Sequence, residues 1–443
     1  MKPIPSIDLV GAGITGLMIA WFINQADPNI DIVIYDAQPD PRKSLRSKDN
    51  SPTFGGDPLA NCIRQITGTE GLVLPRADAM HFEALPGNPF VDKLVIAPDN
   101  GQNVRRDTFV QIDGAMNYFE PVYDVEKNSL HSQINYASLE LWLALSNANL
   151  SKFLFSCKTV DIFHINKENF DADLLTEEQL YWHGTNSETI SSSNTGQPFF
   201  LRSVYDNHLV LPGASVDSRS FALALLNELS RKENVTINFN RRISKIKNTQ
   251  GLVILANNGV HRNIGQQRLT SLGGYWASVD NTKLGITKPF KLALDPPIGY
   301  VNVTPNSNGR LSISGGLNQI GYFGAMGDAM LQAGKQAFLD AIKEYFDIDE
   351  IQRMGIDDIS GCLRPYSDNG LSTFKFKENL VDITGAGKAG TTQLPLISMA
   401  ILQHLGFDVE AVFAKSWGDI KDLTLYNTAI STIFNYGLEP IGL

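Results

Sequence analysis

The stretch Ile7-Asp8-Leu9-Val10-Gly11-Ala12-Gly13-Ile14-Thr15-Gly16, continued by Leu17 to Asn24 and by Ile32-Val33-Ile34-Tyr35-Asp36, decides the fold class. Ile7 to Val10 is a short apolar run that reads as a buried strand. Leu17 to Asn24 reads as a helix, stopped by Asp27-Pro28-Asn29, and Ile32 to Tyr35 as the next buried strand. Together they form a βαβ unit, and its first turn, GAGITG, fits the GxGxxG pattern of a dinucleotide cradle. Gly11 allows the tight turn, Gly13 lets backbone approach a diphosphate, and Gly16 lets the helix pack on the strand. Ala12, Ile14 and Thr15 complete the turn, where the helix start offers unpaired N–H groups and about half a positive charge. Asp36, twenty residues after Gly16 and followed by Ala37, suits a ribose diol and repels a 2′-phosphate, which disfavours NADP. The turn alone does not separate FAD from NAD, and a glycine turn without a ligand is the alternative.

The rest of the chain narrows the class. Its 443 residues suggest roughly three domain-sized pieces, and 43% hydrophobic residues suffice for a sizeable core. The net charge of −10 argues against a nucleic-acid binder, which needs clustered Lys and Arg; the one basic run, Arg42 to Lys48, reads as a solvated loop. Three cysteines without a CxxC, and seven histidines without HxxxH spacing, give no disulfide scaffold and no metal site. Lys2 and the apolar run Leu9 to Ile23 resemble a signal peptide, but Asp8 and three glycines interrupt the pattern. No window reaches about 18 uninterrupted apolar residues, so no membrane span and a cytoplasmic location are expected, and the NxS/T triplets at Asn149, Asn234 and Asn302 carry little weight.

Further along, helices are expected near 137–150, over 218–232 and near 329–346. Strands are expected at 94–96, 235–239 and 243–246, and across 290–313, with a flexible loop at Ser191 to Gly196. A second strand–glycine–helix unit closes the chain: Val381 to Thr384, GAGKAG (Gly385 to Gly390), then Thr391 to Leu405. Glu410, twenty residues after Gly390, suggests a second nucleotide site only if a strand follows that helix, and the sequence there reads poorly as strand.

An ordered set of motifs from Ile7 to Gln403 resembles the D-amino-acid oxidase and sarcosine oxidase family of FAD enzymes. After the cradle, DAQPDP (Asp36 to Pro41) is similar to that family's strand end, and FGGD…CIRQITGTEG (Phe54 to Gly71) to its flavin loop, here with Thr53, Phe54 and Gly55. VLPGASVDSRSFALALLNEL (Val210 to Leu229) resembles its helix start, and NFNRRISKI, with Ile243, its next strand. LGGYWAS (Leu272 to Ser278) resembles its flavin contact, through Gly273, Gly274 and Trp276. GCLRPYSDNG (Gly361 to Gly370) and TGAGKAGTTQLP (Thr384 to Pro395) are similar to its last two motifs. Ala386 stands where the family usually has His, Arg364 to Asp368 is one residue shorter than usual, and residues 72–205 show no match.

The resemblance implies an α/β chain in which a Rossmann-like FAD domain (1–60, 206–280 and 361–443) interleaves with a mixed-sheet substrate domain (61–205 and 281–360). It also implies hydride transfer from an amine-bearing carbon of a small amino acid or secondary amine to flavin N5, giving an imine, with oxygen or another electron acceptor. The closing turn, Gly385, Gly387, Lys388, Ala389 and Gly390 with Thr391 and Thr392, would then face the flavin where negative charge builds, Lys388 adding a cation there or reaching toward a substrate carboxylate; plain helix packing is the alternative. Arg64 and Arg364 match arginines that grip a substrate carboxylate, a task for which a guanidinium fork is suited; interdomain salt bridges are the alternative. Cys362 matches a cysteine bonded to the flavin 8α-methyl, against a buried free cysteine. Lys291 resembles a basic residue over the flavin, and Tyr275, Trp276, Tyr322 and Tyr366 are candidate pocket aromatics or core. A flavin monooxygenase using NAD(P)H and a non-catalytic FAD-binding subunit remain the alternatives, and a homo-oligomer stays open.

Overall fold

The computed structural model describes residues 6–44, 64–67, 125–155, 159–171, 174, 188–191, 204–243, 251–256, 270–294, 300–305, 309–315, 319–322, 328–366, 373–377, 379–384 and 390–437. Its strands form two sheets. The six-stranded sheet contains β1 (Ser6–Val10), β2 (Asp31–Tyr35), β8 (Val235–Asn238), β9 (Leu252–Leu255), β16 (Thr373–Lys377) and β17 (Leu380–Thr384), in the order β16-β17-β9-β1-β2-β8. All its pairs are parallel except β16 with β17. The chain goes from β1 to β2 and β8 on one flank, then returns to β9 and β17 on the other. Strand order therefore reverses at β1, and in open α/β sheets ligands bind at the carboxyl end of such a switch.

Helix α1 (Ile14–Ala26) is buried along nearly all of its length because it is enclosed on several sides. It packs against α3 (Ser218–Leu229), α5 (Gly390–His404) and α6 (Val409–Ser416). An aromatic cluster fills the gap: Phe22 stacks on Phe413 at 4.4 Å, and Trp142 lies 5.4 Å from Trp417 and 5.3 Å from Phe221. Its polar atoms are met, with the Trp21 indole N–H donating to Glu228 (2.8 Å) and the Asn24 amide to Asn234 (3.0 Å). Helix α2 (Val125–Leu143) and the C-terminal α7 (Leu423–Gly437) complete this core.

The second sheet has eleven strands among the described residues. Its main path is β14-β10-β13-β12-β11-β5-β7-β3, with β15 on β10 and β4 and β6 on β7. Its strands are β3 (Arg64–Thr67), β4 (Leu154–Phe155), β5 (Thr159–His164), β6 (Glu188–Ser191), β7 (Asn207–Val216), β10 (Thr270–Asp280), β11 (Phe290–Ala293), β12 (Tyr300–Pro305), β13 (Arg310–Gly315), β14 (Gln319–Tyr322) and β15 (Ser360–Tyr366). Helix α4 (Asp328–Tyr345) covers its apolar face through Phe338, Leu339 and Ile342. The sheet curls enough that β3, at one end, approaches β12 in the middle, and β3 also touches α2 and α5 of the first unit.

Several expectations shift. The helix placed near 137–150 ends at Leu143, because Ser146 N–H bonds to Trp417 O at 2.8 Å and Asn147 caps a new short helix. Residues 241–243 are not strand, and the strand filling that side of the sheet is β9, at 252–255. The rest of the strand expected at 243–246, and the one at 94–96, lie outside the described residues. Ser191, expected in a loop, ends β6, and the rest of that loop is also outside them. After α5 comes helix α6, so Glu410 follows no βαβ unit. Strands β7, β10 and β15, in segments assigned to the nucleotide side, pair in the second sheet, while α2, from the unmatched segment, lies in the first core.

Candidate active site

At the end of β1, Gly11 adopts φ 110°, a conformation open to glycine, and its N–H bonds to Tyr35 O at 2.8 Å. Gly13, the extended N-cap of α1, has no side chain to cap the helix, which among the described residues leaves its first N–H groups open to a ligand. At Gly16 a Cβ would lie 2.0 Å from Gly11 O and 2.8 Å from Leu9 Cδ2, so the helix rests directly on the strand. Asp36 is buried and its carboxylate binds two backbone donors, Ala12 N–H at 2.7 Å and Gln38 N–H at 2.8 Å. The acid at the strand end therefore ties the cradle to the following turn. Asn238, Asn240 and Arg241 close over that turn through backbone bonds to Asp36 and Gln38. Ile243 packs beside Val10, Val253 and Leu255. An uncapped helix start, a glycine where a side chain would clash and a carboxylate at the ribose position together fit an FAD diphosphate and ribose.

The other motif segments meet in the second sheet. Strand β10 pairs with β15 so that Leu272 lies opposite Arg364 and Gly274 opposite Cys362, and Gly273 opposite Leu363. On its other edge, where β10 pairs with β14, the register shifts between Ser271 and Leu272, just before the glycine pair, an irregularity of the kind that accumulates beside functional sites. Gly274 is buried, Trp276 half-buried. Arg64 is in β3 opposite Val216. Thr53, Phe54, Gly55, Gly385, Gly387, Lys388 and Ala389 lie outside the described residues. Tyr275 is core, 6.3 Å from the Phe338 ring.

Gly390, Thr391 and Thr392 begin α5, where the structure adds a feature not anticipated from the sequence. Pro395 has no N–H, so the Thr391 carbonyl loses its helical donor. The Trp142 indole N–H of α2 takes its place, at 3.2 Å from Thr391 O and 3.1 Å from Thr392 O. The Ser138 hydroxyl donates to Thr392 O at 2.6 Å and accepts from Leu396 N–H at 3.4 Å. The Gln393 amide bonds to Asn135 at 2.8 Å. The first turns of α5 are thus held by α2, and Pro395 inside an otherwise helical pattern was the available signal.

The face of the second sheet away from α4 is polar. Lys291 lies opposite Asn302, Asn302 opposite Ser314, and Ser314 opposite Trp276; one row on, Thr304 lies opposite Ser312 and Ser312 opposite Ser278. Directly opposite residues share a face. Thr304 is 1% exposed and Ser312 5%, and the hydroxyls of both, with the Asn302 side-chain oxygen, are buried without a hydrogen-bond partner among the described residues. Lys291 is half-buried, its ammonium 5.8 Å from the Tyr300 ring centre.

Comparison with known proteins fits this geometry. Glycine oxidase from Geobacillus kaustophilus has a similar fold (TM-score 0.55, 13% identity, 92% of this chain and 97% of that one). FAD-bound L-alpha-glycerophosphate oxidase from Mycoplasma pneumoniae is similar too (TM-score 0.54, 11% identity, 95% and 97%). In sequence, coproporphyrinogen III oxidase of Staphylococcus aureus (strain NCTC 8325 / PS 47) is 48% identical over 42 residues, only 10% of this chain and 9% of that protein. Among the described residues no helix is long and apolar enough to cross a membrane, and no cluster of His, Cys, Asp and Glu is arranged to hold a metal ion. The DAO family profile, FAD dependent oxidoreductase, matches residues 9–403, and the chain belongs to that family.

Proposed function

We propose that this enzyme oxidises the C–N bond of a small amino acid or secondary amine at FAD bound between the two sheets. Bound FAD supplies the two-electron acceptor. The observation that carries the reading is the β10–β15 pairing, which sets the LGGYWAS and GCLRPY segments side by side although they are distant in sequence. In this reading Arg364, with Arg64 as the second cation, holds the substrate carboxylate, and Lys291 and Lys388 add positive charge on the flavin side. The uncapped start of α1 takes the diphosphate, and Asp36 the ribose, exchanging its bonds to Ala12 and Gln38 in part for the diol. Gly273, Gly274 and Trp276 line the flavin, and Cys362 is the residue for a thioether to it.

Similar folds serve a glycine oxidase and a glycerophosphate oxidase, so the choice of C–N over C–O rests on the amine-oxidase motifs. The electron acceptor is oxygen or another acceptor, and the location cytoplasmic. Anaerobic mixing with amino acids, N-methyl amines and glycerol 3-phosphate tests the reading: an amine bleaches the flavin absorbance and the alcohol does not. Bleaching by glycerol 3-phosphate alone would reverse it. Arg364→Ala weakens carboxylate-bearing substrates by about 2–5 kcal/mol, the cost of truncating one member of a buried charge pair.

A further inference from the structure

We propose that Asn302, Thr304 and Ser312 form a binding row for an uncharged hydrogen-bonding substituent of the substrate, a hydroxyl above all, remote from the carbon that is oxidised. The inference rests on the amine-oxidising reading given above. A buried polar atom with no partner forfeits the solvation it had in water, and a folded protein retains few of them. Here three such atoms sit on adjacent strands: the side-chain oxygen of Asn302 and the hydroxyl of Thr304 on β12, and the hydroxyl of Ser312 on β13, directly opposite Thr304. The other face of the same strands is Val301, Val303, Leu311 and Ile313, packed with α4, so the polar residues are segregated by the two-residue period and not scattered.

Their position points to a ligand. The row lies on the face that carries Trp276 and Lys291, and its strand β12 is approached by β3, which touches α5, the helix that follows the closing glycine turn. The chemistry of the three groups selects the ligand. Two hydroxyls both donate and accept, and the Asn302 oxygen accepts. A substrate hydroxyl donates to Asn302 and accepts from Thr304 or Ser312, so one group meets the set. A carboxylate leaves the Asn302 oxygen facing another acceptor, and an alkyl chain leaves all three atoms as they are. A site built to hydrogen-bond a hydroxyl rejects the analogue lacking it, because its own buried groups are then left unpaired.

Homoserine and 2-aminobutyrate, each as both enantiomers, differ only by such a hydroxyl and serve as probes with the FAD holoenzyme. The wild type favours homoserine in kcat/KM, and Thr304→Val and Ser312→Ala each reduce that preference by roughly three- to tenfold, the worth of one neutral hydrogen bond. Without substrate the same holoenzymes melt no lower than wild type, because the hydroxyls removed had no partner among the described residues. A marked fall in melting temperature would make the hydroxyls structural, and loss of bound flavin would assign the row to the cofactor; either overturns the proposal. It is also overturned by an unchanged preference, or by failure of both probes to perturb the flavin while N-methyl amines bleach it, an outcome that leaves the amine-oxidising reading standing. If no amine of any kind bleaches the flavin, that broader reading fails as well.

Discussion

Removing the Trp142 indole N–H is most damaging while Pro395 is in place. The Thr391 carbonyl has lost its helical donor to Pro395 and receives the Trp142 N–H at 3.2 Å in a fully buried setting. Trp142→Phe keeps an aromatic ring and deletes that donor. A buried acceptor left unmade costs about 1–3 kcal/mol, and the smaller ring adds a packing loss of similar size. Pro395→Ala restores a backbone N–H four residues after Thr391, giving the carbonyl a helical partner. Trp142→Phe in the Pro395→Ala background then retains only its packing loss. The double-mutant cycle should show a coupling of about 1–2 kcal/mol, since the packing loss cancels and part of the Trp142 bond is shared with Thr392 O. Urea unfolding of the four holoenzymes, followed by far-ultraviolet circular dichroism, reads the coupling. Additivity within about 0.5 kcal/mol would show that Trp142 contributes only volume, and would refute the account of how α5 is held.

Two further outcomes follow from the geometry. Gly16→Ala puts a methyl 2.0 Å from Gly11 O, a backbone atom that cannot rotate away, so the helix must lift off the strand. Overpacking of this kind costs about 1–3 kcal/mol or more, and the purified variant should lose most of its yellow colour and FAD affinity by fluorescence titration; retained stoichiometric flavin would contradict the described packing. His208 is held below the ordinary imidazole pKa, first by burial, with Lys288 and His164 acting the same way and Asp161 opposing. Its folded pKa lies below the unfolded one, so the unfolded chain takes up the proton first, and stability present above about pH 6.5 declines as pH falls towards the folded value. Stability measured from pH 7.5 to 5 should decline less in His208→Asn than in the wild type, and parallel curves would exclude His208 as a source of the slope.

The nucleotide half was legible because each of its signals is local. Gly11, Gly13, Gly16 and Asp36 lie within one βαβ unit, and turn, helix start and strand end follow from neighbours in the chain. Strand β9 was also within reach, since Leu252-Val253-Ile254-Leu255 is an apolar run after Gly251, whereas the expectation fell on the more polar Ile243 to Ile246, of which only Ile243 is among the described residues. The α2–α5 contact was not legible, because Ser138 and Trp142 act on carbonyls some 250 residues away, and no local pattern encodes such a partner. The polar row was hidden for a similar reason. Asn302, Thr304 and Ser312 look like the solvent side of alternating strands, whereas in the fold Thr304, Ser312 and the side-chain oxygen of Asn302 are buried. The second sheet also draws strands from segments that the family resemblance groups with the nucleotide half, since β7, β10 and β15 find their partners by long-range pairing.

The strand order of the six-stranded sheet has a consequence for synthesis. β1 is flanked by a strand that follows it closely and by one made more than two hundred residues later, and α1 is enclosed partly by α5, near the far end of the chain. A nascent polypeptide therefore carries a helix that is apolar on nearly every side, with no complete shelter for it, through most of translation. Such a chain is a natural client for holding chaperones on the ribosome.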